Sequence, residues 1–183
     1  LTVTIVQGNV PQDIKWDKDQ VIKTLALYQA ETEKNWSSDL IVWPENAVTA
    51  FHHQVEAFFL DPLAEQARKN KADILLGLPI YEKDTKRYYN GMMSLGAVEG
   101  FYHKRHLVPF GDYVPFEWLR GLIAFFDLPM SSFAMGADDQ PLLTAAGQKV
   151  GVSICYEDTF SSEVLATLPE ASLLVNATNN AWY

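Results

Sequence analysis

The stretch L-I-V-W-P-E at positions 40–45 consists of four apolar residues followed by a proline and a carboxylate. A short apolar run closed by proline is typical of a buried β-strand. Upstream, the sequence predicts another short strand at residues 2–7 and a helix over 17–33, where apolar residues recur near helical spacing. Downstream, it predicts a helix over 54–70 and a strand at 74–78. Strands that alternate with helices in this way indicate an α/β domain with a mostly buried sheet.

The second half of the chain is richer in strands. Further strands are predicted at 88–98, 149–154 and 173–176, with a helix at 161–168 between the last two. Because no repeat, linker-like or low-complexity segment interrupts the sequence, we expect residues 1–183 to form one domain.

Residues 100–136 do not follow this alternation, since aromatic residues and prolines interrupt any clean periodicity. Long irregular segments inside compact domains are often functional. The part at 118–130, W-L-R-G-L-I-A-F-F-D-L-P-M, is very apolar. Two interpretations stay open: it packs beneath its own loop, or it forms an exposed apolar patch that meets a membrane or an acyl chain.

The composition excludes several classes of protein. The chain has 183 residues, and its 48% of apolar residues is too high for a disordered segment. It has a single Cys, so no internal disulfide can form. Its net charge of −9 disfavours binding to the negatively charged phosphate backbone of a nucleic acid, so we expect no nucleic-acid binding. No stretch approaches the ~20 apolar residues that cross a bilayer. We expect the chain to be part of a longer protein whose membrane-spanning region lies outside it.

Three residues could act in nucleophilic catalysis, and two of them follow predicted strands. Cys155 follows the strand 149–154, at the carboxyl edge where open α/β sheets place their sites. Glu45 comes just after the strand at 40–43, where a general base could stand. Lys104 lies among aromatic and basic residues. Taken singly, each has an ordinary structural explanation as well: a small core thiol, a loop carboxylate or a solvated lysine.

Other kinds of site are not indicated. His103 and His106 lie close in sequence, but the four His residues of the chain have no Cys at ligand spacing, so we expect no metal. The sequence also contains no G-x-S-x-G elbow, no P-loop and no dinucleotide fingerprint. We therefore expect no cofactor.

Each of the three residues lies in a longer motif, and the three motifs together are a more specific signal than any single residue. They are W-P-E-N at 43–46, Y-H-K-R-H-L-V-P-F-G at 102–111 and S-I-C-Y-E-D at 153–158. They resemble the nitrilase superfamily, whose sites use Glu, Lys and Cys. The middle motif and V-Q-G-N-V-P-Q-D-I-K-W-D at 6–17 narrow the resemblance to the apolipoprotein N-acyltransferase family. The resemblance covers nearly the whole chain and implies a nitrilase-like α-β-β-α sandwich, incomplete at the C-terminus.

The resemblance also implies a role for each side chain. Cys155 would be the nucleophile, Glu45 the general base and Lys104 the cation that stabilises the tetrahedral intermediate. Four further residues would support the site or bind substrate: Trp16, Asp112, Tyr156 and Glu157. The family commonly has Glu at the position of Asp112, so we expect its contact to Lys104 or to substrate to be looser or rearranged. Asn180 likewise stands where an acid is often found.

By the same resemblance the protein would be an acyltransferase. It would move a fatty acyl group from a membrane phospholipid to the amino group of the lipid-modified N-terminal Cys of a lipoprotein. The reaction would be a ping-pong transfer through a thioester on Cys155. The enzyme would lie in the bacterial inner membrane with this domain facing the periplasm, and residues 118–130 would contact the membrane.

Two alternatives stay open. A soluble nitrilase-type amidase or carbamoylase would use the same three residues to hydrolyse a small amide, and would have little need for exposed aromatics in 100–136. A catalytically silent nitrilase-like domain would serve for binding instead. A redox-sensing thiol is disfavoured because the chain has no second Cys to resolve an oxidised one.

Overall fold

The computed structural model describes residues 1–109, 112 and 133–179. Its elements, in chain order, are β1 (Val3–Ile5), α1 (Lys18–Glu33), β2 (Leu40–Val42), α2 (His52–Val55), a π-helical turn (Glu56–Leu60), α3 (Asp61–Asn70), β3 (Asp73–Glu82), β4 (Arg87–Leu95), β5 (Gly100–His103), β6 (Leu143–Ala145), β7 (Gln148–Ile154), a 3-10 turn (Cys155–Thr159), α4 (Ser161–Ala166) and β8 (Leu173–Ala177).

The strands form two sheets, one ordered β1-β2-β3-β4-β5 and the other β6-β7-β8. In the first sheet, β1, β2 and β3 pair in parallel, whereas β4 and β5 continue it in antiparallel register. Parallel neighbours need a crossover, and α1 and the α2–α3 segment supply the two that this sheet requires. In the second sheet, β7 pairs antiparallel with β6 and parallel with β8, and α4 lies in the crossover between β7 and β8.

The first sheet separates two apolar layers. Ile41 and Trp43 point to one face, where they pack with buried side chains of α1 and α3. Leu40 and Val42 point to the other face and pack against β7 of the second sheet. This division follows from the two-residue period of a strand. The described residues thus form the predicted α-β-β-α sandwich.

Most predicted elements are confirmed, but the helix predicted over 54–70 is wrong as a single helix. It consists of α2 and α3 joined by the π-helical turn. Pro62 near the start of α3 has no N–H to donate, and the Asp61 N–H bonds back to the Glu56 carbonyl across the turn. Two strands were also missed: β6 is only three residues long, and the four residues of β5 fall inside the irregular 100–136 segment.

Strand β3 supports the turn that carries Glu45. The Val48 N–H at the end of this turn donates to the Gly77 carbonyl over 3.0 Å. A Cβ on Gly77 would stand 2.5 Å from the Pro44 carbonyl oxygen and 2.8 Å from Glu45 Cα. The turn therefore lies directly on the strand because Gly77 has no side chain.

We expect Gly77→Ala to displace this turn, because the atoms that its Cβ would meet belong to the backbone and cannot rotate away. The free energy of unfolding should fall by about 1–3 kcal/mol, as is usual for overpacking. Urea denaturation measures this change. Gly100→Ala is the matched control, since its Cβ would meet only side-chain atoms, at 3.2 and 3.3 Å. Equal stability of the two variants would contradict the close packing of β3 against the turn.

Candidate active site

Lys104 is the centre of a buried polar cluster. Its backbone N–H donates to the Asn90 carbonyl over 2.8 Å, which extends the pairing of β4 and β5 by one residue. Its side chain is 1% exposed, and Nζ lies 3.1 Å from Glu45 Oε1 and 2.8 Å from Asp112 Oδ2. The structure thus brings one ammonium group between two carboxylates in the interior of the protein.

These neighbours keep Lys104 charged. Burial disfavours the ammonium form, but the negative charges of Glu45 and Asp112 and the nearby Cys155 outweigh it. The pKa of Lys104 is therefore raised above its ordinary value. Cys155 makes the smallest of these contributions, which is consistent with a position within electrostatic range of Nζ.

Both oxygens of Glu45 accept hydrogen bonds. Asn90 Nδ2 donates to Oε1 over 2.8 Å, in addition to the Lys104 ammonium, and the Asn179 backbone N–H donates to Oε2 over 3.0 Å. Glu45 itself is 6% exposed. The carboxylate is therefore fixed from two sides, by Asn90 in β4 and by the chain that follows β8.

Asp112 makes a close contact to Lys104 despite its short side chain. Its Oδ2 accepts from the Val108 N–H over 2.9 Å as well as from Nζ, and its Oδ1 accepts from Asn90 Nδ2 over 3.2 Å. The expectation of a looser contact to Lys104 is wrong: the ion pair has the short length typical of charge-assisted hydrogen bonds.

Cys155 is the first residue after β7 and has a left-handed backbone conformation, with φ of +57°. This conformation is uncommon for a residue with a Cβ and is found at functional sites. Asn176 Nδ2 donates to the Cys155 carbonyl over 2.8 Å and so ties the turn to β8. The residue is partly exposed and its thiol is free.

Glu157 joins the Lys104 segment to the Cys155 turn. Its Oε1 accepts the backbone N–H groups of Arg105 and His106 over 2.6 and 3.0 Å. Its Oε2 accepts the Tyr102 hydroxyl over 3.0 Å and the Ile154 N–H over 2.7 Å. Because four donors occupy this 3% exposed carboxylate, it holds the two segments together.

The other two predicted supporting residues lie further out. The Tyr156 hydroxyl donates to the Leu107 carbonyl over 3.1 Å, and its pKa is raised by burial despite the opposing charge of Lys104. Trp16 is half-buried at the end of the β1–α1 loop. Among residues 1–109, 112 and 133–179, it makes no hydrogen bond to the cluster around Lys104. The structure thus brings Tyr156 near the cluster and leaves Trp16 at its margin.

Three residues of the site were missed by the sequence analysis: Asn90, Asn179 and Lys15. The sequence signal for Asn90 was an amide side chain in a strand whose other residues are mostly apolar or aromatic. The structure buries this amide completely. Lys15 is 5% exposed, and burial lowers its pKa to about 8 although Glu45 acts in the opposite direction. Nothing in its sequence neighbourhood distinguishes Lys15 from a solvated lysine.

Some predictions fall on residues that are not described. Both the apolar segment 118–130 and Asn180 lie outside the described residues. Within the described ranges, no helix has the length and apolar character needed to cross a membrane. The same ranges hold no group of three His, Cys, Asp or Glu side chains placed to bind a metal ion.

The fold agrees with the comparison to known proteins. Residues 2–183 match the carbon-nitrogen hydrolase family, and the chain belongs to that family. The fold of XC1258 from Xanthomonas campestris, described as a CN-hydrolase superfamily protein with an arsenic adduct in its active site, superposes with a TM-score of 0.66. At 19% identity, the match covers 98% of this chain and 64% of that one, and it supports the nitrilase-like fold.

Proteins with similar sequences point to one group within this family. The chain is 48% identical to an apolipoprotein N-acyltransferase of Methylococcus capsulatus and 43% identical to one of Nitrosomonas europaea. Each match covers all of this chain but only 36% and 37% of the relative, so the chain spans about a third of their length. The resemblance predicted from the motifs is confirmed.

We expect Glu157→Gln to loosen the link between Lys104 and Cys155. An amide offers one acceptor oxygen where the carboxylate offers two, and its NH2 group would face N–H or O–H donors. The free energy of unfolding should fall by about 1–3 kcal/mol, the usual cost of unsatisfied buried groups. Urea denaturation and the rate of Cys155 alkylation measure the two effects.

The control for this variant is Asp158→Asn, which changes the neighbouring, exposed carboxylate in the same way. It should leave both stability and alkylation near the values of the unmodified protein. A Glu157→Gln variant as stable as the control would show that the four hydrogen bonds contribute nothing to the fold.

Proposed function

We propose that this chain is the catalytic part of an apolipoprotein N-acyltransferase in which Cys155 is the nucleophile, Glu45 the general base and Lys104 the electrostatic stabiliser. The observation that carries the proposal is the buried Lys104 ammonium, bonded to Glu45 and within electrostatic range of Cys155. Support comes from relatives of that name, which are 38–48% identical over the whole chain or nearly all of it.

In the first half-reaction, the acyl group would pass from a phospholipid to the enzyme. Glu45 accepts the thiol proton of Cys155 as the sulfur attacks the ester carbonyl. Lys104 and the N–H groups after Cys155 stabilise the oxyanion that forms. Collapse breaks the ester C–O bond, Glu45 returns the proton to the departing alkoxide, and a thioester remains on Cys155.

In the second half-reaction, the amino group of the lipoprotein N-terminus would replace the sulfur. The nitrogen attacks the thioester carbonyl, Glu45 accepts a proton from it, and Lys104 again faces the developing oxyanion. The C–N bond forms, the C–S bond breaks, and the proton held by Glu45 returns to Cys155. The same three side chains therefore serve both half-reactions.

The proposed substrates define where the protein works. A phospholipid donor and a lipid-anchored acceptor are both held in a membrane, and we propose that the reaction occurs at the bacterial inner membrane with this domain on the periplasmic side. The apolar residues 118–130 would then contact the bilayer, since apolar and aromatic side chains favour the membrane interface.

The test is the intact mass of the protein that carries this chain after incubation with phospholipid and no amine. We expect a gain of one fatty acyl group, which hydroxylamine removes because thioesters are cleaved by it. Cys155→Ala should show no gain, and Lys104→Met should slow acylation by about 10²-fold or more, the usual effect of losing a group that stabilises the oxyanion.

The control is Lys149→Met, which removes an exposed lysine from β7 and should be acylated at the normal rate. Release of ammonia from small amides, with no acyl adduct, would favour a nitrilase-type amidase instead. Neither adduct nor ammonia from a folded protein would leave a silent binding domain and overturn the proposed function.

A further inference from the structure

Asn90 is a buried amide whose nitrogen donates to both carboxylates of the site. The residue lies in β4 and is fully buried. Its Nδ2 donates to Glu45 Oε1 over 2.8 Å and to Asp112 Oδ1 over 3.2 Å. The same two carboxylates contact Lys104 Nζ at 3.1 and 2.8 Å. The amide and the ammonium therefore bridge the same pair of carboxylates side by side.

The orientation of this amide leaves its own oxygen unsatisfied. Asn90 Oδ1 is buried and has no hydrogen-bond partner among the described residues. A buried acceptor without a partner is rare in native proteins and calls for an explanation. The nitrogen and oxygen of an amide are assigned from the hydrogen bonds they make, and a flipped amide would place its oxygen against two ionised carboxylates. The contacts to Glu45 and Asp112 therefore determine which way the amide points.

The amide also determines which oxygen of Glu45 stays open. An ionised carboxylate can accept about four hydrogen bonds, about two on each oxygen. Oε1 already accepts from both Asn90 and Lys104, so its positions are filled. Oε2 accepts the backbone N–H of Asn179. Within the part of the chain that the structure describes, the open acceptor position of Glu45 is therefore on Oε2.

Oε2 lies at the end of the second sheet where the thiol-bearing turn begins. Strands β7 and β8 are parallel neighbours, and Ile154 lies opposite Ala177. The residues that follow these two strands, Cys155 and Thr178, are at the same level along the sheet. Asn179 comes next, and its N–H is 3.0 Å from Oε2. The register thus brings this oxygen to the same edge of the sheet as the Cys155 turn.

We propose that Asn90 is a positioning residue that keeps Oε1 of Glu45 occupied, so that Oε2 takes the thiol proton of Cys155. The inference rests on the proposed function. The proton passes from sulfur to Oε2 as the C–S bond forms, and the electron pair of the acyl C=O bond moves onto its oxygen. The terminal torsion of a glutamate is soft. Without the amide, the carboxylate can therefore turn about its Cγ–Cδ bond, and the open position is no longer held towards the thiol.

The experiment is a double-mutant cycle between Asn90 and Glu45. Asn90→Leu removes both N–H donors at similar side-chain volume, and Glu45→Gln removes the base. The protein that carries this chain is incubated with phospholipid at several concentrations, and intact mass gives the rate of acylation. Alkylation of Cys155 by iodoacetamide gives a second rate that needs no lipid, because the C–S bond forms as iodide leaves and the proton passes to the base.

We expect Asn90→Leu to lower the maximal rate of acylation about 10–10²-fold, the usual effect of misplacing a reacting group. The phospholipid concentration that gives half of the maximal rate should not change. Alkylation should also be slower. In a Glu45→Gln background, Asn90→Leu should have no further effect on either rate, because residues that act through one another are not additive.

The matched control is Asn70→Leu, which removes an exposed amide at the end of α3 that bonds only to the Gln66 carbonyl. It should react at the rates of the unmodified protein. Urea denaturation shows which variants fold. If Asn90→Leu does not fold, Asn90→Ser takes its place in the cycle, since a hydroxyl has one hydrogen and cannot donate to two carboxylates.

Three results would overturn the inference: normal rates in a folded Asn90 variant, a changed half-saturating phospholipid concentration with a normal maximal rate, or equal slowing with and without Glu45→Gln. The third would show that Asn90 supports the site only structurally. If the unmodified protein forms no acyl-enzyme, the proposed function fails, whereas the alkylation cycle still tests Asn90. If Glu45→Gln leaves both rates unchanged, Glu45 is not the base and both proposals fail.

Discussion

The charged Lys104 side chain is the constraint on which the site depends. A buried ammonium is tolerated only when anions and hydrogen-bond acceptors surround it, and loss of a partner from such a group costs about 3–5 kcal/mol. Glu45 and Asp112 meet this requirement from separate parts of the chain. Asn90 Nδ2 donates to both carboxylates and bridges them. The ammonium therefore holds the carboxylates of Glu45 and Asp112 together in the interior of the protein.

Two carboxylates of the site, Glu157 and Glu45, differ in the hydrogen-bond donors that surround them. Glu157 accepts four donors, three of them backbone N–H groups, so its oxygens are fully used in holding the Cys155 turn to the segment after Lys104. Glu45 accepts three donors, and two of them are side chains, the Lys104 ammonium and the Asn90 amide. Residue type alone does not distinguish these two carboxylates, whereas the number and kind of donors around each one does.

The sequence predicted the parts of this site that local patterns encode. Apolar runs located β2 and β7, and the motifs after them located Glu45 and Cys155. The contribution of Asn90 and the burial of Lys15 could not be predicted, because they depend on which strands pair and on how the β1–α1 loop packs. Asp112 shows the same limit: side-chain length predicted a looser contact, but the N–H of Val108 and the Lys104 ammonium close around the shorter carboxylate.

The surroundings of the two buried lysines shift their pKa values in opposite directions. Lys104 lies between two carboxylates, and their negative charges outweigh burial and raise its pKa. Lys15 is influenced by Glu45 alone among the described residues, so burial dominates and lowers its pKa. Two buried lysines therefore differ in their charge because one has two carboxylates within bonding distance and the other has no ion pair among the described residues.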